Sequence, residues 1–481
     1  MKSLILLGSF CALLALGACE NIEEIAFIEF RAEFSAPLVV RQGELVQFRP
    51  GLGTTGAQSY RWYFGDTENS TALSVAPDFA YDSIGMFMVK LVVEINKTNG
   101  IQKDSLQKLI FVLPNLETTD NPNQVFGLPE TDERGYAFTI LQSTGFALAG
   151  QSAIRGLWLA KTNADLSLAE GWPRIYENFG TSTIQARAIH ETLDGGLLVA
   201  GFFQYTANDN EAFLLKTDAL GNEQWRRIIN SDKEERYVAI VEDPTTGELV
   251  IVGTVFTSGR PAITLDRYTA DGQLIQPIVL PREVCNSCLA ETARRTNDGG
   301  LVIGGMQVDR PLILKLGPTL NFEGRSILNT FAGRALGVAQ LRDGRYALVG
   351  EARPGATDST NAFVAKFDII GNVAAWQQRI VLYQEALFDI WQEEADPEQD
   401  LRLVGTHRSP LSGEDVLLLR VGNRVGNIKE VRLLGGIENS NARQAIPAPD
   451  GSFTLIGTTD DGATLQRNIL LWGIEAGFWQ E

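Results

Sequence analysis

The sequence predicts an all-β protein: a small β-sandwich followed by a seven-bladed β-propeller. Two observations carry this. The phrase Asp194-Gly195-Gly196-Leu197-Leu198-Val199-Ala200-Gly201 recurs as Asp298-Gly299-Gly300-Leu301-Val302-Ile303-Gly304 and as Asp343-Gly344-Arg345-Tyr346-Ala347-Leu348-Val349-Gly350. Weaker copies end at Gly150, Gly253, Gly405 and Gly457, so seven repeats follow one another at intervals of 46 to 55 residues. A period of that size marks a repeat architecture. The second observation is the stretch 28–113, where short period-two segments alternate with turn clusters, as in a β-sandwich.

Taken in order, residues 1–18 read as a secretory leader, with Lys2 followed by an apolar run over residues 4–16. That run is too short to span a bilayer. It ends in Leu16-Gly17-Ala18-Cys19, which resembles the lipobox of bacterial lipoproteins. The resemblance implies cleavage before Cys19 and acylation of its thiol; the competing reading is a plain signal peptide followed by an accidental Cys. Multiple acyl chains make anchoring stable. Residues 19–27 then form an acidic tether containing Glu20, Glu23 and Glu24. It looks like the tag that sends some Gram-negative lipoproteins to the outer face of the outer membrane, and it reads equally as a solvated linker.

Within 28–113, Val46-Gln47-Phe48 precedes a Gly-rich turn, then come Ser59-Tyr60-Arg61-Trp62-Tyr63-Phe64-Gly65-Asp66 and Gly85-Met86-Phe87-Met88-Val89. Trp62, Phe64, Gly65, Asp66, Tyr81, Gly85 and Val89 match the core motif of the PKD domain, and the segment resembles that immunoglobulin-like family. Tyr63, Thr67 and Phe87 depart from the motif. The likeness implies a spacer or interaction module. Trp62 is expected to fill the core, and the Asp66 carboxylate to cap backbone N–H groups in a turn.

Residues 114–130 read as a linker, and 131–481 as the propeller. In the clearest repeat four strand-like pieces follow each other: 186–192, 197–200, 212–217 and 224–229. Gly and Asn in the connecting turns supply positive φ. Four antiparallel strands repeated seven times imply a propeller; a β-helix has shorter rungs and lacks paired tight turns. The units also resemble the long Asp-Gly-Gly repeats of bacterial surface proteins, a family without a single activity. The last repeat has little room for a fourth strand, so residues 123–128 are expected to complete its blade.

The loops between second and third strands vary most in length, and variable loops on a rigid scaffold are where binding is usually placed. Tyr205, Arg260, Arg310 and His407 are the candidate binding residues there, with Phe203 and Arg408 beside them. Each also reads as a solvated loop residue. In the first-strand register, Thr139, His190, Glu242 and Arg294 are candidates for the channel wall or for solvent-facing strand ends.

The chemistry excluded is broad. A formal net charge of −18 opposes nucleic-acid binding. Two histidines, His190 and His407, rule out a multi-histidine metal site within one chain. Cys285 and Cys288 have metal-ligand spacing but no second pair, and outside the cytoplasm a local disulfide is the default. No nucleophile elbow, phosphate-binding Gly-rich loop or zinc-protease motif occurs. The sequence therefore predicts no cofactor, no metal and no catalytic residue. It points to a surface lipoprotein of the outer membrane, attached only through its lipid, that binds a glycan or an envelope protein. The alternative is a polysaccharide hydrolase or lyase built on the propeller.

Overall fold

The computed structural model describes residues 30–117, 123–127, 132–152, 156–177, 179, 183–206, 209–229, 231, 233–353, 360–368, 370–371, 374–394, 396–435, 439–460 and 467–479. The leader, Cys19 and the acidic tether lie outside them. Among the described residues the structure is all-β, with a 3-10 turn at Leu52–Thr54. The chain forms two compact units. One holds residues 37–46, 79–88 and 109–481, and the other the remaining N-terminal residues.

The larger unit contains seven sheets in sequence order, each a blade of antiparallel strands. Their innermost strands are Glu133–Ile140, Ile184–Glu191, Glu235–Glu242, Cys288–Arg295, Ala332–Gln340, Gln384–Gln392 and Ser440–Pro447. Apolar cores lie between consecutive blades. Leu157 and Leu159 of the first blade, for example, pack with Ile184, Val199 and Phe213 of the second.

The recurring glycine has one structural reason. In every blade the first strand carries a bulge opposite this glycine of the second. A Cβ on Gly150, Gly201, Gly253, Gly305, Gly350, Gly405 or Gly457 would lie 1.7–2.5 Å from a first-strand carbonyl oxygen. Only glycine permits that approach. In the fourth blade the equivalent residue is Gly305, not Gly304, because Ala290 pairs with Gly305 across the bulge.

The recurring aspartate has another. Asp194, Asp298 and Asp343 each take an ammonium from the third strand of their own blade: Lys216 at 2.9 Å, Lys315 at 2.8 Å and Lys366 at 3.0 Å. Those lysine side chains are only 2%, 6% and 3% exposed. The same carboxylates accept backbone N–H bonds from Gly196, Gly300 and Arg345 two residues on. Each turn is thereby locked to the strand behind it.

Ring closure follows the expected route. Asn123–Phe126 pairs antiparallel with Arg467–Ile474 and supplies the outer strand of the seventh blade. Leu116–Glu117 adds a parallel fifth strand to the outer edge of the sixth blade, beside Ile428–Leu434. Part of the predicted linker is thus blade.

In the smaller unit Ser59–Tyr63 pairs antiparallel with residues 90–94 and with Thr71–Ala72. Trp62 is fully buried, edge-on to Phe34 at 5.2 Å and beside Phe48 at 5.7 Å. Asp66 accepts from the backbone N–H of Ser70 at 2.7 Å, which is the turn its position predicted.

Candidate binding site in the central channel

The bulge that requires the glycine also builds the site. It leaves one unpaired residue per blade: Tyr136, Arg187, Val238, Glu291, Leu336, Phe388 and Arg443. All seven line the central channel, a cavity of about 370 Å³ ringed by the seven innermost strands. Six arginines and two carboxylates line it, in a chain whose formal charge is −18.

The charges are organised. Glu291 bridges two guanidiniums across the channel, Arg187 at 3.2 Å and Arg334 at 3.1 Å. Arg334 also contacts Glu351 at 2.9 Å. Asp389, only 4% exposed, pairs with Arg294 and accepts the backbone N–H of Ala445 at 3.1 Å. At the mouth Arg134 pairs with Asp132 at 3.1 Å.

Arg443 differs from these. Its guanidinium stacks over Phe388 at 4.5 Å. Among the described residues it has no carboxylate partner and no hydrogen-bond acceptor. It is open to water along the channel axis, but the ring of strands encloses it. That enclosure lowers its pKa, and the like charge of Arg187 and Arg334 adds to the effect, against Tyr136 and Glu414. Burial raises the pKa of the Tyr136 phenol, which donates to Gln151 at 3.3 Å, so it stays neutral at physiological pH.

The predicted loop residues lie elsewhere. The second-to-third-strand segments are mostly extended hairpins. Leu249–Thr257 and Arg260–Tyr268, for instance, pair up to a two-residue turn at Ser258 and Gly259. Arg260 is exposed at that tip. Arg310 follows a similar turn and is tied back to Asp309 at 3.2 Å and the Asn329 carbonyl at 3.2 Å. Tyr205 falls in Leu197–Thr206, and its side chain lies outside the described residues. His407 is not on an exposed loop. It is fully buried between Glu385 and Asp415 on neighbouring strands, with Nδ1 3.2 Å from Glu385. Phe203 is likewise core, 3% exposed and edge-on to Phe179. Arg260, Arg310, His407 and Phe203 do not line the channel. Arg408 pairs with Glu414 beside the channel mouth.

Of the four first-strand candidates, Arg294 lines the channel. His190 and Glu242 pair across two blades at 3.0 Å. Cys285 and Cys288 form a disulfide, and both are buried. No cluster of three or more potential metal ligands occurs among the described residues. No helix among them is long and apolar enough to cross a membrane.

The seven bulge residues escape sequence reading because bulges are not visible in strand alternation. A signal was present: in five blades the channel residue stands 14 positions before the glycine, as Tyr136 does before Gly150 and Arg443 before Gly457.

By sequence, no protein family and no curated protein matches the chain. Among solved structures it is similar to a quinonprotein alcohol dehydrogenase-like protein from Bacteroides thetaiotaomicron, at 10% identity over 82% of this chain and 93% of that one, with a TM-score of 0.37. The WD40 domain of SCAP from fission yeast aligns at 9% identity over 75% and 89%, with a TM-score of 0.40. Regucalcin, a calcium-binding protein from Agrobacterium tumefaciens, aligns at 12% identity over 76% and 97%, with a TM-score of 0.37. Likeness at this level says nothing about activity. The propeller rests on the seven sheets themselves.

Proposed function

We propose that this is a non-enzymatic binding protein of a bacterial envelope. Lipid on Cys19 holds it to the outer membrane, a PKD-like sandwich over 28–113 acts as spacer, and the propeller takes a glycan or an envelope protein at its channel mouth. The observation that carries the reading is the channel itself. Its volume of about 370 Å³ is within the range of small-ligand sites, and it is lined by guanidinium, phenol, amide and aromatic groups. Its two carboxylates, Glu291 and Asp389, are both held by arginines. A carboxylate braced in that way serves as a strut rather than as a proton carrier, which favours binding over hydrolysis.

The reading keeps the face expected from the loop lengths and moves the site from its hairpins to the channel at the centre. First strands begin where second strands end, so the channel opens among the second-to-third-strand hairpins. Thr458 and Arg467 of the seventh blade line both the channel and the adjoining groove. The test compares wild type with an Arg187→Ala/Arg443→Ala double variant on a glycan array and in pull-downs from envelope extracts. Loss of a wild-type partner in the variant supports the reading. Equal binding by both places the site elsewhere, and turnover of any array glycan by wild type favours the hydrolase or lyase alternative.

A further inference from the structure

Three guanidiniums converge in the channel. Arg187, Arg334 and Arg443 come from the second, fifth and seventh blades, and all three line the one cavity. Glu291 bonds the first two, and Glu351 takes a second bond from Arg334. These two carboxylates leave one positive charge of the three unmatched. The remaining candidate, Glu414, is already engaged by Arg408 and by the Asn441 side-chain amide. Arg443 is therefore exposed to the water of the channel and stacked on a ring face, beside two like charges, without an anion among the described residues.

A folded chain does not gain stability from such an arrangement. Three cations sharing one channel repel one another, and two carboxylates offset only two of them. Nor does packing explain it: a leucine or methionine could cover Phe388 without the charge. A bound anion would relieve that repulsion. Guanidinium is also suited to the task, since its planar fork matches an oxyanion with two parallel hydrogen bonds. The neutral Tyr136 phenol lines the same cavity, and with its proton given to Gln151 its oxygen can accept from a sugar hydroxyl.

We infer that the central channel is a site for an oxyanion group, carboxylate or phosphate, carried on a small ligand or on the terminal unit of a glycan, with Arg443 as its principal partner and Arg187 and Arg334 flanking it. The inference rests on the proposed binding role of the propeller and narrows it: among glycans, acidic ones are selected. A neutral sugar would leave Arg443 uncompensated, and a bulky protein segment would not enter a cavity of about 370 Å³.

The experiment uses the full-length chain in detergent. Melting temperature and calorimetric binding are measured at fixed ionic strength in chloride, in inorganic phosphate, in trigalacturonate and in its methyl ester. Wild type is compared with Arg443→Met and Arg443→Lys. At least one of phosphate and trigalacturonate is expected to bind wild type and raise its melting temperature, and the one that binds identifies the source. Arg443→Met should weaken that binding roughly tenfold to hundredfold, the loss of a charge-assisted hydrogen-bonded pair. Arg443→Lys should restore part of it. In chloride alone Arg443→Met should melt at or above wild type, because an unmatched charge has been removed. The inference is overturned if neither anion binds wild type, if the methyl ester binds equally well, or if Arg443→Met binds anion unchanged. A drop of several degrees for Arg443→Met in chloride also overturns it, since the arginine would then be structural. A neutral glycan or protein partner lost in channel variants would sink this inference and leave the binding role standing. Anion binding without any channel-dependent partner would do the reverse.

Discussion

Replacing Asp194 with asparagine isolates the charge in the turn-to-strand lock. The Lys216 side chain is 2% exposed, and its ammonium donates to Asp194, to the Thr217 carbonyl at 2.8 Å and to Gln224 at 3.1 Å. The side-chain amide of the Asp194→Asn variant would keep the turn, since its oxygen can still accept from Gly196 and Thr192, as the Asp194 carboxylate does now. It would leave the buried ammonium with neutral acceptors only. Breaking a buried pair in this way costs about 3–5 kcal/mol. The Asp194 side chain is 55% exposed, so water enters its side of the pair, and the cost should fall to about 2–3 kcal/mol. The reverse change, Lys216→Met, leaves Asp194 solvated and still capping its turn, and should cost under about 1 kcal/mol. The double variant should be more stable than Asp194→Asn alone. Equilibrium urea unfolding followed by tryptophan fluorescence reads all three. If Lys216→Met is as damaging as Asp194→Asn, the carboxylate is not what makes the buried lysine tolerable, and the account of the repeat aspartate fails.

Three further outcomes are expected. Gly201→Ala sets a Cβ 2.0 Å from the Gln185 carbonyl and should cost about 2–3 kcal/mol or prevent folding, whereas Gly344→Ala, with no atom within 4 Å of its Cβ but φ +83°, should cost about 1 kcal/mol; urea midpoints compare them. Lys315, with help from Thr296, lowers the Asp298 pKa to about 2. Its folded pKa lies below its unfolded one, so its stabilisation is present above about pH 4 and lost as pH falls through about 2. The group is half exposed, so screening holds the effect to about 1 kcal/mol; the stability gap between wild type and Asp298→Asn should close between about pH 5 and about pH 2. Mass spectrometry of the mature chain should find acyl groups on Cys19, and Cys19→Ala should lose them along with detergent partitioning; an unacylated wild type would refute the anchor.

Much of the architecture was legible because glycine and aspartate punctuate it. Gly201 and its counterparts are needed by backbone contact alone, whatever the side chains nearby, so they survive as a visible period. The missing outer strand of the seventh blade was legible from length. Two things were not. The register slip at Gly305 is hidden because Gly304 and Gly305 are adjacent and the bulge lies on the other strand. The hairpins were read as loops because their pairing depends on the partner strand, not on local composition. His407 shows the consequence: a polar residue in an apparent loop is in fact enclosed between two cross-strand carboxylates.

The channel residues were illegible for a deeper reason. Scaffold positions repeat because every blade must satisfy the same backbone geometry, and repetition is what a sequence pattern detects. The bulge position obeys no such demand. Its backbone has no cross-strand partner, so the seven positions range from Val238 and Leu336 through Tyr136 and Phe388 to Arg187, Arg443 and Glu291. The freedom that erases the signal is also what lets the seven positions be chosen for a ligand. In a repeat protein the informative position is therefore one fixed by backbone geometry yet unconstrained in side chain. Here that criterion selects a ring carrying Arg187, Glu291 and Arg443, and the unmatched member of that ring is the residue on which the binding proposal turns.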